Sequence, residues 1–206
     1  MYAPPVITME NDDWILALDQ ELEKKRDEIL KDVNEQNTRK ANINRTLIKD
    51  FWNIWLRFNK INIHMTMEPS HTAFAQFEEF PERWRFKPNF DFSAVNTIQL
   101  VDKTLDQGRV GDSIKVRHYY VDKVPHLRMV FEFCEGEHYY KYSGWKRIFV
   151  QYILYDSPLN KVSVKRIHEI LADIIKVWYE SHLRRNRDML LKYIKDNFEK
   201  GETFTQ

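Results

Sequence analysis

The feature that most constrains this sequence is a block of β-forming residues between Ser113 and Asp156. Four segments in the block are rich in Val, Ile, Tyr, Phe and Trp, which strands favour, and short turns separate them. The segments are SIKVRHYY, HLRMVFEFC, EHYYKYS and WKRIFVQYILY. The block predicts an antiparallel meander of three or four strands, and the rest of the fold has to be built around that sheet.

A long amphipathic helix is predicted after the sheet, over residues 163–200. Apolar side chains recur there at the three- and four-residue intervals of a helix, and Gly201 supplies a stop signal. They are Val164, Ile167, Ile170, Leu171, Ile174, Ile175, Trp178, Leu183, Leu190, Tyr193, Ile194 and Phe198. A face this wide is typical of a helix that packs on a sheet.

Two helices are predicted in an N-terminal segment, residues 1–60, before an α+β domain at 61–206. The first helix carries a narrow apolar stripe from Trp14 to Val33, the second is the aromatic segment TLIKDFWNIWLRF, and the polar NEQNTRKANINR separates them. The stripe and the aromatic excess favour self-association through these helices. Residues 68–112 give no clear pattern.

The fold class that follows is α+β: N-terminal helices, then an antiparallel meander packed against a long C-terminal helix. This element order resembles the helix-grip arrangement of ligand-binding domains of the START and Bet v 1 type, over about the last two thirds of the chain. The resemblance implies a curved sheet that holds the long helix across one face. It rests on element order, and it carries no functional motif.

Charge and cysteine content limit the partners and the location. The 32 basic and 31 acidic residues leave a net charge of +1, so the whole chain has no field that would attract nucleic acid or an anionic membrane. One Cys in 206 residues precludes an internal disulfide, and no run approaches eighteen apolar residues. We therefore expect a cytoplasmic protein without a membrane partner.

Motifs for common cofactors and metals are missing from the sequence. It has no phosphate loop, no G-x-G-x-x-G and no G-x-S-x-G. The seven His residues show none of the usual metal-ligand spacings, and His138 is predicted to point away from Cys134. No cofactor and no metal are expected, and the question of catalysis stays open.

The strand register predicts one apolar and one mixed sheet face. A two-residue turn at Glu135-Gly136 would put Phe131 opposite Tyr140 and Glu132 opposite Tyr139. The preceding hairpin, which turns at DKVPH, would bring two further pairs of residues together on the second face, Tyr119 with Arg128 and Lys115 with Glu132. We call this second face the mixed face; its members are Lys115, Arg117, Tyr119, Arg128, Glu132, Tyr139, Lys141 and Arg147.

Two interpretations of the mixed face remain open. It is either an ordinary solvated sheet surface or a recognition surface for a small anionic or aromatic ligand. The ligand-binding candidates are Arg117, Tyr119, Arg128, Glu132, Tyr139, Lys141 and Arg147. The favoured function is a non-catalytic ligand-binding or interaction module. The alternatives are an RNA or single-strand nucleic-acid binder and an enzyme of unrecognised type.

The run from Arg184 to Arg187 is a second concentration of positive charge. It would serve either as a partner for the acidic N-terminal helix or as an anion-binding patch, and the first interpretation is favoured because the net charge is near zero.

Overall fold

The computed structural model describes residues 13–69, 73–77, 80–104, 111–141 and 144–205. These residues form α-helices, a short 3-10 turn and strands, and the order confirms the predicted α+β class. The elements are α1 (Asp13–Lys60), β1 (Met65–Glu68), β2 (Phe74–Phe77), β3 (Phe80–Phe86), β4 (Thr97–Asp102), β5 (Ser113–Val121), β6 (Val124–Tyr140), β7 (Gly144–Pro158), α2 (Val164–Leu183), α3 (Arg187–Asn197) and β8 (Glu199–Thr205).

The chain divides into two compact units, Met1–Thr38 and Arg39–Gln206. In the first unit the described residues, 13–38, are helical, and their side chains from Trp14 onward are exposed. The second unit contains a six-stranded antiparallel sheet in the order β1-β4-β5-β6-β7-β8, and β2 and β3 form a separate hairpin. Residues 1–12 of the predicted N-terminal segment lie outside the described residues.

The hydrophobic core of the second unit lies on one face of the sheet, where α2 and the second half of α1 cover it. Strand side chains alternate between the two faces of a sheet. The strand residues that point away from the core therefore form the mixed face. The core members contributed by the strands include Ile98, Leu100, Ile114, Leu127, Met129 and Phe131; the helices contribute Leu47, Phe51, Ile167, Ile174 and Trp178. The apolar face of the meander is therefore the face that α2 covers.

One continuous helix, α1, replaces the two predicted N-terminal helices, so the predicted break is wrong. The polar segment between residues 34 and 45 contains no Pro or Gly that would interrupt a helix. Thr38 and Thr46 instead donate their hydroxyls to the carbonyls of Asn34 and Asn42, at 2.8 and 3.1 Å, within the helix. None of the helices in the described ranges is both long and apolar enough to cross a membrane.

The predicted single helix over 163–200 is likewise wrong, because the structure has two helices and a strand there. Arg185 adopts a left-handed conformation (φ 50°) that ends α2, and the Asn186 side chain accepts a hydrogen bond from the Met189 amide to start α3. Gly201 does not stop a helix. It lies in β8, where an added Cβ would come within 3.1 Å of Ile153 Cγ1.

The predicted hairpin at Glu135-Gly136 is also wrong, because β6 continues through it and pairs with β7 on both sides. Cys134 pairs with Phe149 and Gly136 with Ile148, which leaves one extra residue, a β-bulge. The turn follows Tyr140 and ends at Gly144, whose φ of +75° suits glycine. Beyond the bulge, Gly136–Tyr140 and Gly144–Ile148 form a two-stranded segment that we call the ribbon.

A buried polar link joins α1 to β5. Asn44 is fully buried; it donates to the carbonyls of Phe92 and Val95 and accepts from His118 Nε2 at 2.8 Å. The other ring nitrogen, Nδ1, is buried without a hydrogen-bond partner among the described residues. Burial, and then the charge of Lys40, lowers the pKa of His118 to about 4.

His118 should make stability depend on pH. In the unfolded chain the His118 imidazole binds a proton below about pH 6.5, but in the folded chain it does so only below about pH 4. Acidification across that interval therefore favours unfolding. The free energy of unfolding is expected to fall by up to about 1.4 kcal/mol per pH unit. Urea unfolding between these pH values should show this slope in wild type and in His138→Gln, an exposed control, but a reduced slope in His118→Gln. Equal slopes in the wild type and the two variants would contradict the assignment of this pH dependence to His118.

Candidate functional site

A cleft of about 500 Å³ opens in the second unit, at the C-terminal end of α2. It lies among the residues that follow α1, the end of β4, the start of β5 and the turn between α2 and α3. The lining residues are Ile61, Asn62, Ile63, Asp102, Thr104, Asp112, Trp178, Ser181, His182, Leu183, Arg185, Asn186, Arg187 and Leu190. Its volume falls within the range of small-molecule sites, about 300–1,000 Å³.

A buried carboxylate and an imidazole form the first polar pair of the cleft. Asp102 Oδ2 accepts from His182 Nε2 at 2.7 Å, and Oδ1 accepts from the Thr104 amide at 2.8 Å. Burial disfavours the charged carboxylate, but the hydrogen bonds outweigh it and hold the pKa of Asp102 below its ordinary value. Asp102 engages Nε2 of His182, and within the described residues no hydrogen bond is found to its Nδ1 atom.

Asp112 and Arg187 form the second pair. The Arg187 guanidinium donates to both carboxylate oxygens, at 2.9 and 2.6 Å, in the bidentate geometry of a strong ion pair. Asp112 is buried, whereas Arg187 is partly exposed and lies 5.8 Å from the centre of the Phe133 ring. The hydrogen bonds to Asp112 stabilise the charged guanidinium by more than burial disfavours it, so the pKa of Arg187 is raised.

The turn between α2 and α3 presents an arginine in an unfavourable backbone conformation. The amides of Arg185 and Asn186 donate to the carbonyls of His182 and Ser181, which is the Schellman pattern for ending a helix. Glycine normally occupies the left-handed position of this motif, yet here it is Arg185. Asn62, also in the cleft lining, has a φ of 62°. Such conformations concentrate at functional sites.

Four of the predicted ligand-binding residues come together in two clusters on the mixed face. In the first, Arg128 donates to Asp156 at 2.8 Å and to the Tyr119 hydroxyl at 2.9 Å, and Tyr119 donates to Asp156 at 2.6 Å. Burial, and then the hydrogen bond to Asp156, raises the pKa of Tyr119. In the second, Glu132 is buried, accepts from Lys115 and Gln151, and has Arg117 within 4.0 Å.

The remaining predicted ligand-binding residues lie farther along the sheet. Arg147 donates to Glu137 at 3.2 Å, and the Tyr139 ring contacts the Trp145 ring with centroids 5.5 Å apart; both pairs are in the ribbon. Lys141 follows the end of β6 and is exposed. The mixed face thus contains the predicted residues but spreads them out, and its acidic and basic groups largely neutralise one another.

The cleft residues that the sequence did not reveal are Asp102, Asp112 and His182. They are far apart in the chain and belong to no spacing motif, so only the fold brings them together. One signal was present in the sequence, the arginine run. Its favoured interpretation was a partner for the acidic N-terminal helix, whereas in the structure Arg184 pairs with Glu180 and Arg187 pairs with Asp112. Within the described residues no three His, Cys, Asp or Glu side chains are grouped as metal ligands.

Comparison of the chain with protein-family models, with curated proteins and with solved structures finds no match. The helix-grip resemblance therefore remains one of element order, and functional inference has to start from the geometry of the cleft and of the mixed face.

Proposed function

We propose that the protein binds a small organic anion with an apolar portion in the cleft at the end of α2. The cleft combines a volume suited to such a ligand with apolar walls and a few fixed polar groups, the usual composition of a ligand site. The side chains between sheet and helices form one buried hydrophobic cluster. The mixed face, with its internal pairs, would need to break them to bind a ligand.

The charges in the cleft favour an anion. Its two carboxylates are already engaged, Asp102 by His182 and Asp112 by Arg187. No hydrogen bond or ion pair joins the Arg185 side chain to another described residue, so its guanidinium is available to a ligand. A guanidinium binds carboxylate and phosphate groups in a bidentate manner, while Ile61, Ile63 and Leu183 would contact the apolar portion.

The conformation of Arg185 is the observation that carries the proposal. A non-glycine residue in the left-handed region costs about 1 kcal/mol or more relative to glycine. Arginine occupies this position despite that cost, and its side chain makes no hydrogen bond or ion pair with another described residue. An unfavourable backbone conformation that brings no structural gain is expected at residues that serve a function.

The test is a thermal-shift and calorimetric screen with benzoate, octanoate and phenyl phosphate as probes. A probe at a hundred times its dissociation constant should stabilise wild type by about 2.7 kcal/mol, a rise in Tm of roughly 5–10 °C. Arg185→Gly should bind at least tenfold more weakly and yet unfold at a higher temperature than wild type without ligand, because glycine relieves the left-handed strain.

Arg184 is the residue that follows α2 and has a right-handed helical backbone, so Arg184→Gly would itself disturb the helix end. The matched pair is therefore Arg184→Gln, which removes a charge outside the cleft lining, and Arg185→Gln. The first should retain the ligand-induced shift and the second should lose most of it. Equal shifts in both variants would place the anion elsewhere, and no shift with any probe would remove the proposal.

A second candidate function is acid-base catalysis on the bound molecule. The specific observation is the Asp102–His182 pair, because a carboxylate that orients an imidazole is a common arrangement for a general base. Ser181 donates its hydroxyl to the Trp178 carbonyl at 2.7 Å, which leaves no activated nucleophile beside the histidine in the described cleft. Probes that are consumed during the screen would favour this candidate.

The mixed face remains a secondary proposal for ligand or single-stranded nucleic acid, supported by its arginines and aromatic rings. A cytoplasmic location is also retained as a proposal, supported by the single Cys.

A further inference from the structure

One side of α1 in the first unit carries exposed apolar side chains. Trp14, Leu18, Leu22, Ile29 and Val33 are between 43 % and 63 % exposed. Their four- and seven-residue spacing places them on one side of the helix. Exposed apolar residues grouped in this way mark an interaction surface more often than scattered ones do.

The spacing of this stripe is the same in both chain directions. With Lys25 included, the positions are 14, 18, 22, 25, 29 and 33, at intervals of four, four, three, four and four. The pattern is symmetric about a point between Glu23 and Lys24. A pair with two-fold symmetry requires that if residue i contacts residue j of the other copy, residue j contacts residue i. An antiparallel pair of these helices satisfies that condition at every stripe position.

The charges distinguish the antiparallel pair from the parallel one. Residues 14–23 contain three carboxylates and no basic side chain, whereas residues 24–33 contain four basic and three acidic side chains. An antiparallel pair places the half with charge −3 against the half with charge +1. A parallel pair would place −3 against −3, which is repulsive.

We propose that residues 14–33 of two copies of the chain pair in antiparallel orientation, with the two-fold axis between Glu23 and Lys24. Trp14 then packs against Val33 of the second copy, and Leu18 against Ile29. Leu22 packs against the aliphatic stem of Lys25, whose ammonium group is 2.6 Å from Glu21 within its own helix. The pairing uses none of the cleft residues, so it stands independently of the ligand-binding proposal.

Sedimentation velocity of the full chain at micromolar concentrations tests the pairing. Wild type should be a dimer, and Leu18→Asp should weaken dimerisation at least tenfold because it puts a carboxylate into the apolar contact. Leu16→Asp is the matched control, because Leu16 is also exposed but lies two residues from Trp14 and hence off the stripe. A monomeric wild type, or equal dissociation of both variants, would overturn the proposal; circular dichroism checks that each variant stays helical.

Disulfide cross-linking tests the orientation in a Cys134→Ser background. In an antiparallel pair the two copies of residue 14 are about 28 Å apart along the helices, far beyond the roughly 7 Å between Cα atoms that a disulfide spans. Trp14→Cys mixed with Val33→Cys should cross-link under oxidation, and Trp14→Cys alone should not. Efficient cross-linking of Trp14→Cys alone would show a parallel pair and overturn the antiparallel assignment.

Discussion

Replacing Gly111 by alanine is expected to lower the free energy of unfolding by at least about 3 kcal/mol, equivalent to a fall in Tm of roughly 6–12 °C. A Cβ at this position would lie 1.4 Å from the carbonyl oxygen of Asp102, which no side-chain movement can relieve. The backbone would have to move, and with it the hydrogen bond from the Asp102 amide to the Asp112 carbonyl, at 2.9 Å. Thermal and urea unfolding measure the loss.

Gly136→Ala is the matched control for this substitution. Gly136 has no atom within 4 Å of an added Cβ and no left-handed backbone, so alanine there should change stability by less than about 0.5 kcal/mol. Similar losses in the two variants would mean that residue 111 is not held against Asp102 as the structure describes. A further consequence is that Gly111→Ala should also weaken ligand binding, because both cleft carboxylates adjoin the displaced backbone.

The second large effect is expected at the ion pair beneath the cleft. Arg187→Met should destabilise the protein by about 2–3 kcal/mol, because it leaves the buried carboxylate of Asp112 without its bidentate partner. Methionine retains the aliphatic part of the side chain and loses the guanidinium above the Phe133 ring, so the loss combines this exposed contact with the larger effect of the unpaired buried charge. Urea unfolding at neutral pH gives the difference.

Two comparisons identify the cause of that loss. Arg184→Met removes an exposed ion pair with Glu180 and should cost less than about 0.5 kcal/mol. Asp112→Asn combined with Arg187→Met should be more stable than Arg187→Met alone, because no buried charge is then left unpaired. If the double variant is less stable than the single one, packing rather than charge accounts for the effect.

The fold class was predictable because long periodic segments specify element type. The residues from Ser113 to Asp156 specify strands by composition, and the stripe of α2 specifies a helix, so the meander and its helix were confirmed. Helix ends were less predictable. The polar segment of α1 looked like a break, although without Pro or Gly it continues as helix, and Arg185 ends α2 in a conformation that sequence patterns assign to glycine.

The predicted register failed at both hairpins of the meander. Gly136 looked like the turn, but Gly144 takes the positive φ and Glu135 becomes the extra residue of a bulge. Before the bulge, Tyr119 does contact Arg128 and Lys115 does contact Glu132, as predicted. These contacts are diagonal, however, because the turn lies at Asp122-Lys123 and not over DKVPH, which pairs Tyr119 with His126 and Lys115 with Val130. The cleft could not be predicted, because Asp102 and His182 are 80 residues apart and only tertiary packing joins them.

The bulge at Cys134 and Gly136 also affects how the sequence of this protein can diverge. Pairing between β5 and β6 ends at Ser113 and Glu132, so within the described residues the β6 strand of the ribbon pairs only with β7. Side chains from Glu135 to Tyr140 are exposed and contribute nothing to the core. Insertions or deletions of matched residue pairs near this turn would lengthen or shorten the ribbon and leave the core register unchanged. We therefore expect the ribbon to tolerate a change of length better than the strands that carry the core.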